Sequence, residues 1–175
     1  AQILSQAYVI LAKRIRPAVV HIKVVRTSTK APEKSPTLLD ERRGNQRPPP
    51  KKRRYVYSGL GSGVIVDEAG YILTNHHVVG LADLIQVKLA DGRELKASII
   101  GSDSKSDIAL IKIPPGKLTV ARMADSDLIQ VGELVMAIGS PLGLDSTVTT
   151  GIVSALGRSA LHQLKIEDFI QIDAS

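Results

Sequence analysis

The sequence predicts an all-β fold: a small closed barrel of six antiparallel strands, then about half of a second barrel, with a short helix in front. Two observations carry this. Between Ala18 and Ile113 lie six short β-branched or alternating apolar runs, separated by brief turns apart from one long insertion. From Gly132 to Asp173 about three more runs follow. Six short antiparallel strands suit closure, because a closed barrel leaves no edge strand for other chains to pair with. A third observation sets the kind of core. The 175 residues include one Phe, four Tyr and no Trp, yet 43% are hydrophobic, so the interior is aliphatic.

In chain order, residues 2–15 read as an amphipathic helix. Leu4, Tyr8, Leu11 and Ile15 recur at helical spacing and share one face. Pro17 disfavours helical backbone at Arg16 and ends the element. The apolar face must cover something, either its own barrel or a neighbouring subunit. Ala18 to Arg26 is the first strand. Val20, Ile22 and Val24 point one way, and His21 and Lys23 point the other, with His21 read as an exposed strand residue.

Thr27 to Tyr57 is an insertion rich in Pro, Lys, Arg and Ser. It has too little apolar surface to offset its ordering entropy and reads as a mobile or disordered loop. Gly59, Gly61 and Gly63 then alternate with Leu60 and Ser62 ahead of V-I-V. No G-K-[ST] and no helical pattern follows, which excludes a phosphate loop; such glycines mark a bulge or a close backbone approach. Asp67 to Gly70 turns the chain into Y-I-L-T. Ile85, Val87 and Leu89 alternate with Gln86, Lys88 and Ala90, and Asp91-Gly92 signals a hairpin. Leu95 to Ile100 returns, and Ile108 to Ile113 completes the first set before Pro114-Pro115-Gly116. Lys117 to Val131 connects to the second set: the strand opened by Gly132, Thr147 to Leu156, and a run starting at Ile166. Loops at 140–146 and 157–165 lie between them. The expected division is a helical segment at 1–17, a first barrel at 18–116 that holds the 27–57 insertion, and a connector with half of a second barrel at 117–175.

The absence of Cys excludes a disulfide framework, a thiolate zinc site and a Cys nucleophile. No apolar run is long enough to span a bilayer. Residues 1–12 lack the basic start of a signal peptide. The net charge of +6 arises in one place. Residues 42–54 carry seven Arg and Lys and no acid, and the rest holds 16 basic against 17 acidic residues. The body is therefore near neutral, with one basic loop.

Chemistry is concentrated between Tyr71 and Ile113. The strand Y-I-L-T-N runs into His76 and His77, and Asp107 opens the strand D-I-A-L-I-K-I. A curling sheet can bring such strand ends together, giving the His and Asp of a Ser-His-Asp triad in that chain order. His77 would be the general base and Asp107 its orienting carboxylate. On spacing alone, a satisfied histidine beside a solvated aspartate remains the simpler account, and His76 competes as the base. With only His21 and His162 as further imidazoles and no thiol, neither a metal site nor a cofactor is expected.

From Ser58 to Ser175 the chain resembles the HtrA/Deg (high-temperature-requirement A) family of trypsin-like serine proteases. The matching pieces are G-S-G-V-I at 61–65, Y-I-L-T-N-H-H-V-V at 71–79, L-A-D-G-R at 89–93 and S-D-I-A-L-I-K-I at 106–113. M-A-D-S-D at 123–127, V-G-E-L-V-M-A-I-G-S-P-L-G-L at 131–144, T-V-T-T-G-I-V-S-A-L-G-R at 147–158 and F-I-Q-I-D-A-S at 169–175 follow in order. The resemblance implies a chymotrypsin/trypsin-like double β-barrel, the first complete and the second truncated.

The family pattern T-N-x-H-V-V places the catalytic histidine at His77, with His76 on the variable position, and D-I-A-L places the aspartate at Asp107. The nucleophile of a G-N-S-G-G motif would fall about six residues past Ser175, with the oxyanion amides on the same loop. Ser175 stands outside a G-x-S-x-G context and is no substitute. The resemblance thus implies an endopeptidase domain that is inactive as written. It also implies unfolded or misfolded polypeptide substrates cut after small apolar residues, and a periplasmic or organellar setting. The 27–57 insertion matches the variable first-barrel loop, 140–146 and 157–165 match activation and sensor loops, and Arg158 matches a regulatory arginine. The N-terminal segment matches the family's trimer contact, so a homotrimer or higher oligomer is expected, and in the family PDZ domains follow. Two other readings stay open: a non-catalytic chaperone-like scaffold, and a binder of nucleic acid or an anionic surface through residues 42–54. Nucleic acid is the weaker partner, since only Tyr55 and Tyr57 flank the basic run.

Overall fold

The structure is a computed structural model that describes residues 2–28, 55–140, 147–158 and 168–174, with Ser28, Tyr55 and Arg158 described by backbone alone. Most of the insertion and the interiors of both second-barrel loops, with His162 and Ser175, lie outside the described residues.

Helix α1, Gln2–Ile15, ends in a 3₁₀ turn, Arg16–Ala18, where Pro17 removes a backbone donor. None of its residues is buried, and Leu4 and Leu11 are exposed. Tyr8 and Ile15 on the same face are half-buried, so the apolar face is only partly covered.

Six strands close the first barrel in the order β1-β2-β3-β6-β5-β4. They are β1, Val19–Ser28; β2, Tyr55–Ile65; β3, Tyr71–Asn75; β4, Leu84–Lys88; β5, Glu94–Asp103; and β6, Ile108–Lys112. All neighbours are antiparallel, and β1 closes the ring by pairing Ile22 with Gly61 of β2 and with Val87 of β4. Alternate side chains point inward, as the period of a pleated strand requires. Ile22, Ile65, Ile72, Val87, Ile111 and Ile113 are at most 1% exposed and form the aliphatic core. Gly92, in a left-handed conformation at φ 89°, makes the β4–β5 turn.

Several boundaries differ from the sequence reading. β1 reaches Ser28 and β2 begins at Tyr55, so both ends of the predicted loop are strand. Backbone pairing satisfies their amides and carbonyls whatever the polarity of their side chains. The Gly-rich run carries no register shift in its pairing with β1, so it is a close approach and not a bulge. A Cβ on Gly61 would lie 2.6 Å from the Val78 side chain, so glycine is what lets β2 lie against the turn that carries the histidines.

The reading of His21 as exposed is overturned: it is 9% exposed. The outer face of β1 is covered at this point by Ser140, whose carbonyl lies 3.1 Å from His21 Nδ1. Lys23, two residues on, remains exposed.

The second unit is a three-stranded antiparallel sheet in the order β7-β8-β9. Its strands are β7, Leu134–Gly139; β8, Thr147–Arg158; and β9, Phe169–Ile172. Beyond His21, it is tied to the first barrel through the Ser140 amide, which donates to Ser62 Oγ at 2.9 Å.

Candidate active site

Strand β3 ends at Asn75, and the chain turns at once into a single helical turn, α2, His76–Val79. Val79 is fully buried and Val78 packs on the core, which anchors the turn and sets both histidines at the barrel rim. Asp107 closes the turn between β5 and β6, and β6 pairs directly with β3, placing Ile108 opposite Asn75. Pairing of two strands distant in sequence thus brings His77 to Asp107.

The Asp107 turn is knit locally. Asp103 accepts hydrogen bonds from the Lys105 amide at 3.0 Å, the Ser106 amide at 3.3 Å and Ser106 Oγ at 2.9 Å. Asp107 has φ 56°, the one positive value among described non-glycine residues. Left-handed backbone is uncommon outside glycine, and Asp and Asn tolerate it best.

His77 is held twice. Its amide donates to Asp107 Oδ1 at 2.8 Å, and its Nδ1 lies 2.6 Å from Asp107 Oδ2. An ionised carboxylate only accepts, so Nδ1 carries the proton and Nε2 is the ring's acceptor. The His77 side chain is 70% exposed and that of Asp107 21% exposed. The Asp107 carboxyl is held below its ordinary value of 3.8, chiefly by the His77 amide. Partial desolvation opposes this, while the His77 ring and Asn75 add to it. The pair therefore keeps its negative member ionised at neutral pH.

His76 points elsewhere. Its Nδ1 lies 2.6 Å from Ser102 Oγ on β5, and its amide donates to the Asp107 carbonyl at 3.0 Å. The structure brings His77 and not His76 onto the aspartate side chain. Arg158 ends β8 opposite Phe169, and its side chain lies outside the described residues.

Sequence reasoning missed Asn75, Ser102 and Ser62. Asn75 Nδ2 lies 3.2 Å from both the carbonyl and Oδ2 of Asp107. An amide side chain immediately before the histidine pair was a readable signal for that contact. The other two depend on register. A cleft of about 250 Å³ opens beside His77, walled by Val24, Leu60, Val78 and Leu81 with Arg26 among its lining residues.

An exposed imidazole oriented by a carboxylate on the rim of a six-stranded barrel, with a second β-sheet alongside, defines a trypsin-like peptidase framework. The trypsin-like peptidase domain family matches residues 61–175. The periplasmic pH-dependent serine endoprotease DegQ of Escherichia coli K12 is 46% identical over 167 residues, 94% of this chain and 36% of that protein. The periplasmic serine endoprotease DegP of Salmonella typhimurium is 54% identical over 121 residues, 68% of this chain and 26% of that protein. A solved HtrA-type protease, AlgW with a decapeptide, superposes with a TM-score of 0.74 at 40% identity, covering 95% of this chain and 51% of that one. The chain belongs to the HtrA/Deg family of trypsin-like serine proteases. It spans about a third of the length of the DegQ relative.

Proposed function

We propose that His77 and Asp107 are the general base and orienting acid of a periplasmic endopeptidase domain that cuts unfolded or misfolded polypeptides. The observation that carries the reading is the 2.6 Å contact between His77 Nδ1 and Asp107 Oδ2 on an accessible ring. With Nδ1–H committed to the carboxylate, Nε2 takes the proton of a serine hydroxyl as it attacks the scissile carbonyl. It then returns that proton to the leaving amine. Asp107 stabilises the imidazolium that exists between the two transfers. By the family's pattern, the serine and the oxyanion amides come from a G-N-S-G-G segment past Ser175. The aliphatic cleft beside His77 favours a polypeptide side chain as its occupant. The DegQ and DegP relatives are periplasmic endoproteases, which supports the setting and the reaction.

The exposed Leu4 and Leu11 of α1 support packing against neighbouring copies in a trimer, and Arg158 is assigned to regulation by resemblance. A solution mass equal to one copy would remove the trimer. The chemistry is tested in the protein that includes the G-N-S-G-G segment. His77→Ala abolishes peptide hydrolysis, a loss of about 10³-fold or more. His76→Ala keeps most of it. The reverse ranking would move the base to His76 and overturn the assignment.

A further inference from the structure

We propose that Asn75 is a positioning residue: its side-chain amide holds Asp107 by backbone and carboxylate together, and so fixes the acid that orients His77. This rests on the reading of His77 and Asp107 as the base and acid of the peptidase.

The geometry is specific. Asn75 Nδ2 reaches the Asp107 carbonyl and Asp107 Oδ2, both at 3.2 Å. Both are acceptors, so only the amide nitrogen can face them, and the orientation of the side chain follows from chemistry. One donor group spans the main chain and the side chain of the same residue. It can do so only while Asp107 keeps its carboxylate turned back over its own carbonyl. In that same conformation Oδ1 meets the His77 amide and Oδ2 meets His77 Nδ1. The backbone held in this way is the left-handed one at φ 56°. A residue in a sparsely populated conformation persists where its surroundings over-determine it.

The ordinary role for an asparagine here would be to cap α2, since Asn is a favoured N-cap. Asn75 occupies that position, at φ −83° and ψ 146°, but its side chain makes no capping hydrogen bond. The donor is turned to Asp107 instead. Asn75 also belongs to the last pair of the β3–β6 ladder, opposite Ile108, so its backbone is set by the strand that follows Asp107. It is an arm of fixed origin and short reach.

Two substitutions test the role. Asn75→Ala removes the donor without adding charge. Asn75→Asp keeps the shape and sets an oxygen against two acceptors. The first readout is carbon NMR of the Asp107 carboxyl in the chain itself, followed against pH. The titratable neighbours are His76 and His77 on α2 and Asp103 and Lys105 beside the same turn; Asn75→Ala leaves them unchanged, whereas Asn75→Asp adds a carboxyl of its own, so Asn75→Ala is the cleaner titration. The expected result is an Asp107 titration displaced to higher pH in Asn75→Ala and further in Asn75→Asp, with loss of the hydrogen-bonded His77 Nδ1 proton signal. An unchanged titration and an unchanged proton signal in Asn75→Ala would overturn the proposal. If Asn75→Asp fails to fold, Asn75→Ala alone decides.

The second readout is hydrolysis by the protein that includes the nucleophile segment. Asn75→Ala lowers kcat about tenfold or more with KM within about twofold, because misplacement of the base affects the transition state and not substrate binding. An equal loss of folded protein, with kcat per folded molecule unchanged, would also overturn it. Should the NMR result hold while His77→Ala remains active, the peptidase assignment of His77 falls and the contact between Asn75 and Asp107 stands.

Discussion

The six-stranded barrel and the three-stranded sheet use the same aliphatic alphabet and bury it to very different extents. In the barrel, Ile72 and Ile111 pair across β3 and β6 and are both fully buried. In the sheet, Leu134 pairs with Ile152, and the two are 57% and 39% exposed. Ile170 and Ile172 on β9 are about equally open, and among the hydrophobic residues of the described sheet only Val153 is buried. Strand pairing alone covers one edge of a residue; ring closure brings the opposite strands over its inner face. Burial here follows from topology more than from hydropathy. The proposed base and acid sit on the better-packed unit, since His77 and Asp107 both flank barrel strands. The sheet reaches it through Ser140, which is bound to Ser62 and His21 at the barrel wall.

The sharpest test of that contrast uses two glycines with nearly the same φ. Gly70 has φ 92° and Gly132 has φ 94°. A Cβ on Gly70 would drive into the carbonyl of Ile113, whereas a Cβ on Gly132 meets nothing within 4 Å. Gly132→Ala should cost only the left-handed strain, about 1–2 kcal/mol. Gly70→Ala adds a clash with backbone that cannot move without opening the β3–β6 end of the barrel, and should cost about 3 kcal/mol or more. Chemical denaturation of the two variants decides it, and equal losses would mean the barrel rim yields as easily as the sheet.

Truncation of the core gives the next effect. Ile111→Ala empties a fully buried site and should cost about 2–5 kcal/mol. Leu134→Ala removes a side chain that is mostly exposed, and should cost less than about 1 kcal/mol. If urea midpoints shift by the same amount, the sheet has more cover than its described strands supply.

The smallest effect is electrostatic. Asp91 and Asp107 lie on barrel turns and Asp103 ends β5 beside one, and each carboxyl is held below its ordinary 3.8. The leading causes are the Arg93 side chain, the Lys105 amide and the His77 amide respectively. Each group binds its proton more weakly folded than unfolded. Their stabilisation is therefore complete above the ordinary value and is lost as pH falls below about 4 through the lowered folded values. Thermal melts should decline modestly across that window, less so in Asp103→Asn. A flat midpoint from pH ~5 to pH ~2.5 would show that these turns contribute nothing.

Much of the fold was legible because its signals are local. The β-branched runs, the Asp91-Gly92 turn and Pro17 each act within a few residues, and all appear, with strand ends shifted by a few residues. The ordered motifs around His77 and Asp107 identified the family. On spacing alone, the two histidines stayed rivals. His21 was misread for a related reason: alternation along β1 separates two faces but does not say which face is solvent. Asn75 stands at the N-cap position of α2, yet its side chain is turned to Asp107, a choice made by a residue on the turn between β5 and β6.

The sequence by itself determined the class of fold, the aliphatic core, most strand positions and the two residues resembling a base and its acid. Those follow from period, propensity and motif, which need no partner. The tertiary structure alone decided the strand order and register of the ring and the burial of His21 under Ser140. It also decided the left-handed Asp107 and the contacts through which its carboxylate holds His77. Each of these depends on the register between strands far apart in sequence, where displacement by one residue turns every side chain to the other face.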